Sequence, residues 1–221
     1  MQLFRMRWTL LFFAATITLD AQTWPLDSTT PLSVVHAKPE VTKYRDRQGL
    51  RLLNAASQEF AGSGLAAISE SDFEDGTIEV DVAGLPREGA MQAARGFIGI
   101  AFRLQDATHY ECFYIRPTNG RADDQLRRNH STQYVGEPDF PWERLRKESP
   151  GVYESYTDLA AGEWTKVKIV VSGVRAQLFV NGAEQPCLIV NDLKHGKSRG
   201  KIALWVGPDT EGYFANLVVR K

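Results

Sequence analysis

The chain has 221 residues, a formal net charge of −1 and 43% hydrophobic residues. This apolar share excludes a globally disordered chain. The near-zero charge argues against a nucleic-acid-binding protein, which normally has an excess of basic residues. Two cysteines allow one disulfide at most, so the chain is not a disulfide scaffold.

The first residues have the pattern of a secretory signal peptide. Arg5 and Arg7 precede an uncharged apolar run over residues 8–19, and Ala21 offers a small residue for cleavage. The run is shorter than the roughly 20 apolar residues that a membrane-spanning helix needs. We therefore predict a signal peptide over residues 1–21 and an unstructured linker over 22–30. The protein is then secreted or periplasmic, with no stable membrane insertion after the signal is removed. The alternative is an amphipathic or core helix over the apolar run.

Alternation of apolar and polar residues dominates the rest of the chain and predicts about ten short strands. In chain order they span residues 41–44, 50–53, 77–82, 97–103, 110–116, 164–171, 176–180, 187–190, 202–206 and 214–219. Asn181-Gly182 predicts a hairpin turn, because both residues tolerate positive φ. No strand is followed by an amphipathic helix in βαβ order. The pattern is typical of an all-β antiparallel sandwich or barrel.

Residues 119–162 interrupt this rhythm with a long, polar and irregular segment. Long insertions in compact domains are usually functional or disordered, and the aromatic content of this one argues against disorder. A short helix is predicted over residues 140–147, with Asp139 as N-cap and Pro141 in the first turn. We expect any function to reside in this segment.

Three sequence pieces carry a resemblance to a known group: Gly162-Glu163-Trp164 before a strand, the hairpin over residues 178–182, and the closing strand over residues 213–216. Residues 31–221 resemble the concanavalin A-like lectin/glucanase superfamily, which implies one jelly-roll β-sandwich domain with a long insertion. Within that superfamily the chain is most similar to laminin-G-like domains and to the 3-keto-disaccharide hydrolase-like domain of exported bacterial proteins. It has Arg95-Gly96-Phe97 where the hydrolase-like domain typically has Asn-Ser-Gly.

Glu111 is the candidate catalytic residue. It lies in an aromatic strand, where a carboxyl group can have a raised pKa and serve as a general acid. The alternative is a structural ion pair with a neighbouring arginine. Its partner carboxylate in a glycosidase is predicted among three residues: Glu79, Asp81 and Glu154. Glu79 and Asp81 share one face of a strand at a glycosidase-like spacing, or they form a solvated outer face.

Side chains that suit sugar binding cluster around the middle strands and the insertion. Planar hydrogen-bonding groups contact sugar hydroxyls, and an aromatic ring contacts the apolar face of the sugar. The predicted substrate-binding residues are Arg103, Arg116, Arg127, Asn129, His130, Tyr134 and Trp142. Several arginines also suit an acidic sugar or a carboxylate. The alternative is surface ion pairing with nearby acids such as Asp123, Asp124 and Glu137.

No cofactor and no metal site are predicted. The four histidines are spread without ligand spacing. A calcium site is the alternative, and its candidate ligands are Asp72, Asp75 and Asp209. Cys112 and Cys187 either form a disulfide after export or remain buried free thiols.

The sequence thus predicts an exported carbohydrate-binding β-sandwich protein that acts on bacterial or environmental glycans. One alternative is a glycoside hydrolase of the 3-keto-disaccharide hydrolase-like type. Another is a non-catalytic adhesive or scaffold domain.

Overall fold

The computed structural model describes residues 21–28, 30–55 and 62–221. The predicted signal peptide lies outside the described residues, apart from Ala21. The strands within these ranges are β1 (Ala21–Trp24), β2 (Leu32–Val35), β3 (Ala37–Tyr44), β4 (Arg47–Asn54), β5 (Gly64–Ile68), β6 (Gly76–Pro86), β7 (Ile98–Leu104), β8 (Tyr110–Ile115), β9 (Thr132–Glu137), β10 (Glu154–Ser155), β11 (Thr165–Ser172), β12 (Arg175–Val180), β13 (Leu188–Val190), β14 (Lys201–Val206) and β15 (Thr210–Arg220). The helices are a 3₁₀ turn (Pro117–Asn119), α1 (Gln125–Asn129) and α2 (Trp142–Glu148).

The strands form two antiparallel sheets that make a sandwich, as the sequence predicts. The first sheet has the order β13-β12-β11-β6-β15-β4-β3, and β1 also pairs with β15. The second sheet has the order β10-β9-β8-β7-β14-β5-β2. Among the described residues, no helix has both the length and the apolar character that crossing a membrane requires.

The core lies between the sheets and follows from strand alternation. On β6, Ile78, Val80 and Val82 are at most 1% exposed, while Glu79 and Asp81 point to the outer face. Burying each of these aliphatic side chains contributes roughly 1.5–3 kcal/mol. Strand β8 differs because all six of its residues are buried. Both faces of the second sheet are therefore covered at this point.

The predicted Asn181-Gly182 turn is confirmed. Asn181 has φ 52° and Gly182 has φ 74°, the left-handed conformations that a type I′ turn requires. The Asn181 side chain also accepts a hydrogen bond from the backbone N–H of Lys166, at 3.0 Å. The returning strand β13 pairs with β12, so the hairpin joins the edge of the first sheet.

The start of the described chain differs from the predicted unstructured linker. Strand β1 pairs with the end of β15, from Ala21 opposite Arg220 to Trp24 opposite Leu217. Leu26 is fully buried in the core. The short lead-in is ordered because Trp24 and Leu26 each bury a large apolar side chain, which offsets the entropy lost in fixing the backbone.

The segment predicted to be irregular contains α1, β9, α2 and β10. Strand β9 pairs with β8 along its whole length, and this pairing makes the segment part of the second sheet. Helix α2 begins at Trp142, two residues later than predicted. The backbone of Phe140 exchanges two hydrogen bonds with Gly136 and is not free to start a helix. Pro141 then takes the N-cap position in an extended conformation.

Candidate functional site

A groove of about 670 Å³ lies on the outer face of the second sheet. Its floor includes Tyr114 on β8, Val135 on β9 and Trp205 on β14, which strand pairing places side by side. The rings of Tyr114 and Trp205 stack with centroids 4.7 Å apart. Residues 91–97 form one wall, and residues 141–146 form another. The half-exposed ring of Trp142 stands at this second wall.

Arg116 follows β8 and is held at the groove floor. Its guanidinium donates hydrogen bonds to the hydroxyl of Tyr114 at 2.9 Å, the side-chain oxygen of Gln133 at 3.1 Å and the backbone oxygen of His130 at 3.0 Å. Burial raises the pKa of Tyr114 to about 12, so this hydroxyl stays neutral beside the arginine. Arg116 is thus a fixed positive charge with only 5% of its surface exposed.

Glu154 supplies the negative charge next to this floor. Arg146 binds both oxygens of its carboxylate, with a shortest contact of 2.7 Å, and His130 Nε2 lies 3.2 Å from Oε1. Desolvation lowers the pKa of His130, and the charges of Arg146 and Arg116 act in the same direction against the attraction of Glu154. His130 is therefore mainly neutral at pH 7 and offers a hydrogen bond rather than a charge.

Two further arginines in the groove are less fully partnered. Arg127 on α1 reaches Asn119 at 3.5 Å, and its buried Nε has no hydrogen-bond partner. Arg95 donates to backbone oxygens of the 92–94 turn at 2.6 and 2.9 Å. Desolvation, and then the charges of Arg127 and Arg116, lower the pKa of Arg95. The positive charges of Arg116 and Arg127 thus both act on Arg95.

Three carboxyl groups line the groove, and one of them is unusual. Asp209 pairs with Arg87 at 2.6 Å. Glu143 is exposed in the first turn of α2. Desolvation, with a smaller contribution from the charge of Glu143, raises the pKa of Glu137 to about 7. Glu137 therefore keeps its proton to a higher pH than an ordinary glutamate does.

Glu111, the candidate catalytic residue, lies away from this groove. It projects from the opposite face of β8 to Tyr114 and is fully buried. Its carboxylate accepts hydrogen bonds from the hydroxyl of Tyr134 and from the backbone N–H of His195, the latter at 2.9 Å. The Lys194 N–H in turn donates to the Tyr134 oxygen at 2.7 Å. Desolvation raises the pKa of Glu111, although these hydrogen bonds oppose the shift. The geometry gives Glu111 and Tyr134 a structural role: they bind the segment after β13 to the second sheet.

Arg103 is also buried away from the groove, at 1% exposure. It donates to the backbone oxygens of Glu74, Gly173 and Gly196 at 2.7–2.8 Å, and to the Asp75 carboxylate at 3.0 Å. These bonds hold Arg103 at φ 51°, in the left-handed region that costs a non-glycine residue of order 1 kcal/mol. Arg103 fastens three loops together.

The other predicted residues also lie outside the groove. Asn129 is exposed on α1, where it accepts a hydrogen bond from Gln125. Glu79 and Asp81 lie on the outer face of the first sheet and pair with Arg220 and Arg47. These two carboxylates belong to the opposite sheet from the groove and are engaged in ion pairs.

The aspartates considered for calcium each pair with an arginine: Asp72 with Arg199, Asp75 with Arg103, and Asp209 with Arg87. In the part of the chain that the structure describes, no three His, Cys, Asp or Glu side chains are grouped to hold a metal ion. Cys112 and Cys187 are both free thiols. Burial raises the pKa of Cys187 to about 11, which makes it a poor nucleophile at neutral pH.

The structure therefore brings together four of the predicted binding residues: Arg116, Arg127, His130 and Trp142. Sequence reasoning missed several that share the groove with them: Arg95, Tyr114, Glu137, Arg146 and Trp205. Alternation would have found Tyr114, because it lies two residues before Arg116 on the same face of a strand. Trp205 carries no local signal, since it meets Tyr114 only because β14 and β8 both pair with β7, opposite Gly99.

Other proteins of known structure share the fold of this chain. No family model matches the chain, and no curated protein matches it. Several solved structures are similar to it. The carbohydrate binding module CBM66 from Bacillus subtilis is similar with a TM-score of 0.59 and 16% identity, over 86% of this chain and 96% of that one.

A protein of unknown function with a galectin-like fold from Bacillus subtilis also has a TM-score of 0.59, with 11% identity over 90% of this chain and 94% of that one. The chain has the concanavalin A-like fold. A glycosidic hydrolase, with a TM-score of 0.52 and 11% identity, covers 93% of this chain and 97% of its own. The concanavalin A-like sandwich is thus shared with binding and hydrolytic proteins, and the choice between them depends on the groove.

Proposed function

We propose that the chain is an exported carbohydrate-binding protein and that the groove on the second sheet is its ligand site. One observation carries the proposal: an aromatic floor and wall meet fixed guanidinium and imidazole groups in a single cavity of about 670 Å³. This volume lies within the range of about 300–1,000 Å³ that is usual for ligand sites. The similarity of the fold to a carbohydrate binding module supports the same conclusion.

The chemistry of the lining matches the two faces of a sugar ring. Trp142 offers a half-exposed ring for the apolar C–H face, and its neighbours Arg116 and Arg146 lie over that ring at 5.9 and 4.6 Å. These guanidiniums are held by the floor and by Glu154, so little side-chain entropy is lost when they bind hydroxyl groups. A groove of this kind does not fit a purely adhesive domain with a flat polar face.

Export to the periplasm or the medium follows from the signal-peptide pattern of residues 1–21. Glycans of bacterial surfaces or of the environment are the polysaccharides that an exported protein meets. We therefore expect its ligand among such glycans.

A glycan array probed with the purified protein tests the proposal. Trp142→Ala should weaken binding to any positive glycan by about tenfold, which corresponds to roughly 1.4 kcal/mol for a lost stacking contact. Tyr156→Ala is the matched control, because Tyr156 is an exposed aromatic of the same segment outside the groove lining. An array without positive glycans would reject the proposal, as would equal losses in the two variants.

Glycan hydrolysis is a second candidate, and Glu137 is the observation that favours it. A carboxyl group with a pKa near 7 is suited to general acid catalysis at neutral pH. Glu143 lines the same groove and supplies a second carboxylate, as glycosidases require. These two residues take the place of the Glu111 pair that the sequence suggested.

Release of reducing sugar from the array-positive glycans decides between binding and hydrolysis. An enzyme should lose at least about 100-fold of its turnover in Glu137→Gln, the scale of general acid catalysis. A binding protein should release no sugar in either form and should retain its affinity in the variant. The outcome with no turnover removes the hydrolase candidate and leaves the binding proposal intact.

A further inference from the structure

Guanidinium groups outnumber their carboxylate partners in the groove. Four arginines line it: Arg95, Arg116, Arg127 and Arg146. Glu154 is bound through both oxygens by Arg146 and lies 4.0 Å from Arg116. Within the described ranges, no carboxylate lies within 4.0 Å of the guanidinium of Arg95 or of Arg127, although the backbone N–H of Arg127 donates to Asp124 at 2.7 Å. The groove therefore holds positive charge that the described residues do not neutralise.

Three of these arginines act on one another in the groove, two of them with no carboxylate at the guanidinium. Arg127 on α1, Arg116 after β8 and Arg95 in the opposite wall interact, and their mutual repulsion contributes to the lowered pKa of Arg95. Like charges gathered over an aromatic floor destabilise one another unless an anion lies between them. The arrangement fits a negatively charged ligand group better than a neutral one.

Arg127 has hydrogen-bonding capacity that the protein does not use. Its Nε is buried and has no partner, and its single side-chain contact, with Asn119, is long at 3.5 Å. Buried polar groups in native proteins are nearly always paired, and exceptions mark sites that await a partner. Arg103 provides the contrast within this chain, since it donates four hydrogen bonds to protein oxygens.

The acids of the groove leave room for an anion. Asp209 is engaged by Arg87 outside the arginine cluster. Glu137 is held partly protonated by burial, and Glu143 is exposed at the far wall. The remaining acid, Glu154, lies 4.0 Å from Arg116 and is already bound through both oxygens by Arg146. A carboxylate entering between Arg95 and Arg127 therefore meets little opposing negative charge.

We propose that the groove recognises a carboxylate-bearing sugar, a uronic acid within a glycan, through Arg95, Arg116 and Arg127. A planar carboxylate accepts paired hydrogen bonds from a guanidinium fork, which the compact ammonium of lysine does not reproduce. The ring of the same sugar lies within reach of Trp142. This inference rests on the proposed function and names the substrate class of the same groove.

The test compares trigalacturonate with its methyl ester, which removes the negative charges and adds one methyl group at each carboxyl, measured by calorimetry at one ionic strength. The wild-type protein should bind the acid at least about tenfold more tightly than the ester, since hydrogen bonds to charged groups are the stronger ones. Arg127→Gln should reduce this preference severalfold, since Arg95 and Arg116 remain in the groove. Arg144→Gln is the matched control, because Arg144 lies on the exposed side of α2 and pairs with Glu148 outside the groove lining.

Each other outcome overturns the inference. Equal affinity for acid and ester would show a neutral-sugar site and would leave the proposed function standing. Equal losses in Arg127→Gln and Arg144→Gln would show general attraction to a polyanion, as would equally tight binding of polyglutamate. Binding of neutral glycans on the array together with no binding of trigalacturonate would also reject the uronic acid. An array with no positive glycan at all would instead reject the proposed function itself.

Discussion

The two faces of β8 and β9 carry polar clusters of opposite character. On the inner face, Glu111 and Tyr134 are fully buried, and each polar atom has a partner from the sheet or from residues 194–195. On the outer side, the guanidiniums of Arg95 and Arg127 reach the groove from a loop and from α1, have no carboxylate partner in the described chain, and leave the Nε of Arg127 without any partner. Polar side chains on the two sides of one sheet thus differ in how completely the protein satisfies their hydrogen bonds.

This difference separates polar residues that hold the fold from those available to a ligand. Burying a polar group is tolerated when hydrogen bonds replace its water, and a satisfied group has nothing left to offer. A group held in place yet incompletely bonded gains most from a ligand. Arg103 and Arg127 are both sequence-predicted binding residues, and only the second meets this description.

Arg103→Met should have the largest effect on stability. The substitution leaves three backbone oxygens without their donor, while the half-exposed Asp75 carboxylate keeps its hydrogen bond from the Gly173 N–H, so we expect the free energy of unfolding to fall by about 3–5 kcal/mol. Chemical denaturation measures this change. Arg127→Met should change it by less than about 1 kcal/mol, since Arg127 makes few bonds. Similar losses in the two variants would remove the distinction between the faces.

Tyr134→Phe should have an intermediate effect. It removes one hydrogen bond to Glu111 and leaves the Lys194 N–H unpaired, which costs about 1–3 kcal/mol when the groups are buried. Denaturation of this variant beside Tyr156→Phe, whose hydroxyl is exposed, gives the comparison. Glycan affinity of the folded protein should not change. A selective loss of affinity would assign Tyr134 to the ligand site after all.

The sequence pattern predicted the fold correctly because strand alternation and turn chemistry depend only on residues that are close together in the chain. The Ile78, Val80 and Val82 face and the Asn181-Gly182 turn both follow from neighbours in the chain. Strand β9 was missed because two of its three outward residues, Gln133 and Glu137, are polar, so its sequence has no apolar alternation. Its place in the sheet depends on pairing with β8.

The candidate site was predictable only in part. Arg116, Arg127, His130 and Trp142 share the groove because they surround the outer end of β8 and belong to one segment of the chain. Residue type alone could not show that Glu111 lies outside the groove, because neighbouring residues of a strand point to opposite faces of the sheet. The wall that carries Arg95 comes from a distant loop, which no local pattern connects to Trp142.

Glu137→Gln should have the smallest effect on stability, and that effect should depend on pH. The folded-state pKa of Glu137 is raised from an ordinary 4.5 to about 7. Between these values the unfolded chain releases its proton first, so the free energy of unfolding falls as the pH rises through this window and is level above it. The groups facing Glu137 are Glu143 on α2 and, on β8, Tyr110 and Cys112.

The glutamine variant lacks this titration and should be the more stable form above pH 7. Solvent reaches the half-buried carboxyl and reduces the effect, so we expect a gain in Tm of about 2–4 °C at pH 8, or roughly 1 kcal/mol, and no gain near pH 4. Glu184→Gln, at an exposed position after the Asn181-Gly182 turn, should show no such pH dependence. A gain that is equal at both pH values would mean that Glu137 is ordinary in the folded protein. The groove would then hold a permanent negative charge at Glu137, which would repel an anionic ligand. The unpartnered guanidinium nitrogen of Arg127 would still favour such a ligand.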